Sequence, residues 1–90
     1  MRHATTSALD KLEPLLAKLR QHAALKEKSR GVFYLKSRAV LHFHEDSAGL
    51  FADLRMMGDW KRYAVNTASE QAKLVEAAET HLSRTNVQDA

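Results

Sequence analysis

Cysteine is absent from this 90-residue chain, which excludes disulfides, thiolate metal ligands and a thiol nucleophile, and leaves no sign of an oxidising compartment. Proline occurs once and glycine three times, too few for a flexible linker or a low-complexity segment. Long apolar runs are missing too: none approaches the ~20 residues that span a bilayer. The opening "MRHATTSALDKLEPLLAKLR" lacks the unbroken apolar stretch of a secretion signal. The expectation is a cytoplasmic protein with no membrane association. Aromatic residues are only 7% of the chain, so its core must be mainly aliphatic.

What is present suits one small folded domain covering residues 1–90. The chain is 44% apolar and 28% charged, and a chain of this length buries about 60–65% of the surface it exposes when unfolded. The net charge of +3 conceals an asymmetry. Residues 1–38 hold nine Lys or Arg against three acids, whereas residues 39–90 hold five against eight. A basic first third suits either a solvated helix face or an anionic partner such as nucleic acid, and the solvated face is the simpler reading.

Leu9, Leu12, Leu16, Leu19 and Ala23 recur at three- and four-residue steps, flanked by Leu15 and Leu25, the stripe of an amphipathic helix over about 10–28. Asp10 with Glu13 resembles a capping box, and Ser7 with Asp10 offers a competing start one turn earlier. Pro14 favours the later start, because deeper in a helix it would cost about 3 kcal/mol. Gly31 is the stop. From residue 32 the period changes to two, in "VFYLK", "RAVLHFHE", "GLFADLRM" and "WKRYAV", which predicts four strands over about 32–65. Their short connections make an antiparallel meander. "MMGD" is one turn, and "EDSAGL" another, closed by Gly49 as a four-residue hairpin loop. Pairing Glu45 with Leu50 then sets Phe43 opposite Ala52 and Leu41 opposite Leu54 on the core face. The other face pairs His44 with Phe51, His42 with Asp53 and Val40 with Arg55. Tyr63 and Val65 look inward. Thr67 and Glu70 form a capping box for a second helix over about 67–83, with Ala68, Gln71, Leu74, Val75, Ala78 and Leu82 as its apolar stripe, and a loose tail at 84–90.

The fold class is therefore α+β: an N-terminal helix, a four-stranded antiparallel meander and a C-terminal helix, with both helices on one sheet face. The uncovered face is the candidate interaction surface, made of Tyr34, Lys36, Arg38, His42, His44, Phe51, Asp53 and Arg55. A second copy covering that face would make a homodimer.

The stretch "GVFYLKSRAVLHFHEDSAGLFADLR", residues 31–55, resembles a segment of a family of small uncharacterised bacterial proteins, which implies no activity. The helix, sheet, helix order is more remotely similar to the frataxin-like architecture. The similarity implies iron handling through acidic residues on the first helix and strand. Here that helix is basic, with only Asp10, Glu13 and Glu27, so the iron-binding ridge does not carry over and the likeness is architectural.

Three constellations compete for the uncovered face. His42 and His44 at i and i+2, with Asp53 across the strand pair, have the spacing of a divalent-metal site. His42 with Asp53 would also make an oriented general base, with the carboxylate raising the imidazole pKa and His44 lacking that help. No activated nucleophile, Gly-rich phosphate loop or paired-carboxylate cleft accompanies them, so an enzyme is not expected. Lys36, Arg38, Arg55, Lys61 and Arg62 lie among Tyr34, Phe51, Trp60 and Tyr63, a pattern that can stack single-stranded nucleic acid, although Arg55 is expected to pair with Asp53. The sequence reading is a non-catalytic binding domain, self-associating through the open sheet face, with no resident cofactor. Metal binding and single-stranded nucleic-acid binding are the alternatives.

Overall fold

The computed structural model describes the backbone of residues 2–56 and 58–89 and the side chains of residues 3–56 and 58–81. Thr5, not Asp10 or Ser7, caps the first helix, its Oγ1 accepting the Ala8 N–H at 3.3 Å. That helix, α1 (Thr6–Lys11), breaks at Leu12, and α2 (Glu13–Arg20) follows with Pro14 in its first turn. There the missing N–H costs little. Asp10 and Glu13 serve another purpose: Arg30 donates to each at 2.8 Å. Arg20 pairs with Glu13 and Glu27, and the Glu27 carboxylate accepts the Gly31 N–H at 2.8 Å. These ion pairs tie α1 and α2 to the strands beyond them.

The expected helix over 10–28 is thus corrected at its far end. It stops at Arg20, and residues Leu25–Ser29 form a strand, β2. Leu25 is buried, but in the sheet, and Ala23 is exposed. β3 (Val32–Leu35), β4 (Arg38–Asp46), β5 (Gly49–Met56) and β6 (Asp59–Ala64) complete an antiparallel meander of five strands rather than four, in the order β2-β3-β4-β5-β6. A two-residue strand at the N-terminus, β1 (Arg2–His3), adds to β4 through the pairs Arg2 with Glu45 and His3 with His44. β5 lies along one edge of β4 over these residues, so β1 lies along the other, beyond the end of β3.

The hairpin register follows the alternation of the sequence. Leu41 faces Leu54, His42 faces Asp53, Phe43 faces Ala52, His44 faces Phe51 and Glu45 faces Leu50. Asp46 also pairs with Gly49, so the loop is the two residues Ser47 and Ala48, not four. Asp46 Oδ1 accepts the Ala48 N–H at 2.8 Å and fixes the turn. The ladder ends at Leu41 with Leu54; Val40 sits in a bulge against β3 and is buried. The "MMGD" turn joins Met56 to its partner Asp59, Met57 itself lying outside the described residues.

Thr67 and Glu70 make the expected reciprocal cap, each accepting the other's backbone N–H at 3.1 Å. The helix they open, α3 (Ala68–Asp89), runs past the expected end near 83 through most of the segment read as a tail; Ala90 and the Leu82 side chain lie outside the described residues. Leu12, Leu15, Leu16 and Leu19 of the first two helices meet Phe33, Leu41, Phe43, Ala52 and Leu54 of the sheet and Leu74 and Ala78 of α3 in one core. Both helical segments therefore cover one sheet face. Among the described residues no helix is long and apolar enough to cross a membrane.

Candidate metal centre

Alternation along β4 sends Leu41 and Phe43 into the core and His42 and His44 to the uncovered face. The β1 strand then brings a third imidazole that has no neighbour of its kind in the sequence. Because His3 pairs with His44, its side chain stands on the same face. Its ring lies 4.9 Å from that of His44, nearly parallel, and 6.0 Å from that of His42. The backbone holds it there: the Ala4 N–H donates to Phe43 O at 3.1 Å and the Thr5 N–H to the Glu45 carboxylate at 2.7 Å.

One nitrogen from each of His3, His42 and His44 lies within 4.8 Å of the others. Four-coordinate zinc with bonds of about 2.05 Å sets its nitrogen ligands roughly 3.3 Å apart, so small side-chain movements would converge these three on one ion. His42 Nδ1 and His44 Nε2 are closer than that, at 2.6 Å. Two nitrogens at this distance share a single proton, so at least one of the two rings is neutral. A metal ion would take the place of that proton.

Asp53 is 7% exposed and lies between strands of opposite demand. Its register partners are His42 on β4 and Arg62 on β6. Arg62 takes the carboxylate with two hydrogen bonds, Nε to Oδ1 at 2.7 Å and Nη2 to Oδ2 at 2.9 Å. These bonds hold the Asp53 pKa below the usual carboxylate range against the opposing effect of burial. The imidazole beside it is His44, with Nε2 3.2 Å from Oδ2, not its register partner His42. The expectation for His42 is reversed accordingly. Burial, then the neighbouring His44, pushes its pKa below the ordinary value, and Asp53 only partly opposes this.

The remaining candidates divide by face. Phe51 and Arg55 stand on the histidine face, and Arg55 lies over the Trp60 ring at 5.6 Å instead of pairing with Asp53. Trp60, 44% exposed, meets His42 edge-on at 4.7 Å. Tyr34 is on the same face, with Lys28 over its ring at 5.2 Å. Lys36 and Arg38 do not join them. Lys36 occupies the β3–β4 turn with φ of 60°, and Arg38 pairs with Leu35, whose side chain packs toward the core. His3 is the member that sequence reasoning missed. It pairs with a strand position 41 residues away, which no local pattern reveals.

Fold and site together define a small α+β domain with helices on one sheet face and a trihistidine cluster on the other. Comparison of the chain with known protein families, with curated proteins and with solved structures finds no match.

Proposed function

We propose that the chain is a non-catalytic binding domain that holds a divalent transition metal through His3, His42 and His44 on its uncovered sheet face. The observation that carries this reading is the convergence of three imidazole donors within 4.8 Å from two strands. An all-imidazole set without thiolates suits zinc, nickel or copper(II) over magnesium or calcium. The third donor is His3 in place of the Asp53 expected from the sequence.

Calorimetric titration of the full chain with zinc tests it. One ion should bind per chain, and its affinity should fall as pH drops below neutral, because the ligating rings must be neutral. Replacing the residue behind a ligand already costs roughly 10- to 100-fold in affinity, so His3→Ala and His42→Ala should each cost at least that much. His22→Ala, outside the cluster, should change nothing. Absence of binding, or equal affinity in His3→Ala, would refute the reading.

Self-association through the same face is the second reading, favoured by exposed Trp60 and half-buried Phe51, which share that face. The charge pattern favours nucleic acid less. Arg20 and Arg30 are engaged by Glu13, Glu27 and Asp10, and Tyr34 and Trp60 each already carry a cation over the ring.

A further inference from the structure

Three imidazoles leave one ligand unaccounted for. A four-coordinate ion needs a fourth donor, and the carboxylate that lies against these rings is Asp53; Asp46, two residues beyond His44 on the same face, is turned to the Ala48 N–H at 2.8 Å. The Asp53 Oδ2 already stands 3.2 Å from His44 Nε2, close to the spacing of two donors on one ion. Two features keep it out. Arg62 occupies both of its oxygens and draws it toward β6. His3 enters from β1, on the far side of β4 from β5, so Asp53 lies outside the group of mutually close donors.

Charge argues for what completes the set. Neutral imidazoles leave the full charge of a dication in place, and Arg62 cancels the Asp53 charge. Arg55 adds a further cation over the ring that touches His42. Such surroundings favour an anionic oxygen donor over a neutral one. We propose that the trihistidine ion keeps one coordination position open to an external oxyanion, a carboxylate or a phosphate, and that Arg62 preserves this opening by holding Asp53 away from the metal.

The inference rests on the trihistidine reading, and cobalt(II), whose visible spectrum reports coordination, separates the two. In the cobalt-loaded full chain, acetate or inorganic phosphate should shift the visible spectrum saturably, and whichever acts at lower concentration identifies the preferred class of anion. Arg62→Gln releases Asp53 into the open position, so cobalt should bind more tightly and the anion-induced shift should disappear. The Arg62→Gln, Asp53→Asn double variant should recover the shift, a rescue that a merely structural role for Arg62 would not produce. Asp53→Asn alone should keep it. Cobalt bound without any anion response would overturn this inference and leave the metal reading standing. An unchanged response in Arg62→Gln, or loss of the shift in Asp53→Asn, would overturn the parts assigned to Arg62 and Asp53. Failure to bind cobalt at all would overturn both readings. The Arg62 side chain is half exposed, and circular dichroism would confirm that Arg62→Gln folds.

Discussion

His42 shows how far a strand register reaches and where it stops. The alternation of "RAVLHFHE" and the turn after it put His42 across from Asp53, and the structure has that pair. Register sets which backbone positions oppose one another, whereas the electrostatics depend on which way long side chains lean. Asp53 leans to Arg62 and His44, and His42 is left against another imidazole, partly buried. An NMR titration of the metal-free protein should therefore find His42 below its reference of about 6.5. The consequence for stability follows by linkage. Between the lowered folded value and about 6.5 the unfolded chain binds more protons, so stability should fall as pH drops through that window. Asp53, with its lowered pKa, stabilises the fold above about 3.9 and should lose that contribution as pH falls further. A His42 value at or above 6.5 would contradict the geometry.

The five-strand meander was legible except at its first strand. In "LKEKS" only Leu25 is apolar, and the helical stripe of Leu16, Leu19 and Ala23 runs almost up to it. β2 is an edge strand, and edges are protected by charged side chains, lysine above all. The residues that keep this edge from pairing with other chains are the ones that erase its β pattern. Glu27 likewise faces α2 and Arg20 instead of lying on a helix. The turn that follows carries a sharper constraint. Gly31 has φ of 81° and packs beneath Leu9, so an added Cβ would come within 2.7 Å of Leu9 Cδ2. Gly31→Ala should lower stability by about 1–2 kcal/mol from the left-handed backbone alone, and by more as Leu9 is displaced. Gly58→Ala, where φ is 90° but no atom lies within 4 Å, should cost only the backbone share. Thr67→Ala should cost about 1 kcal/mol through loss of the α3 cap. Urea midpoints with unchanged slopes would check all three; equal effects at Gly31 and Gly58 would contradict the Leu9 contact.

At the scale of the molecule, the described helices lie on one side of the sheet, and the self-association reading has a second copy cover Trp60 and Phe51 on the other. A stable interface of this kind buries at least ~1,000 Å². On the self-association reading, light scattering should show a mass above the 10.1 kDa of one chain at high micromolar concentration, and Trp60→Lys should return it to the monomer value. A monomer at all concentrations would remove the self-association reading. β1 has a different consequence, in time. The meander is built from consecutive hairpins whose partners are close along the chain, but His3 must find His44 across 41 residues, and such distant closures form late. A contact absent from the folding transition state affects only the rate of leaving the native state. Zinc should therefore slow unfolding in proportion to its affinity while leaving the refolding rate unchanged. The ion would act as a latch on a finished fold and not as a seed for it, and stopped-flow chevrons with and without zinc would show one limb displaced and the other coincident.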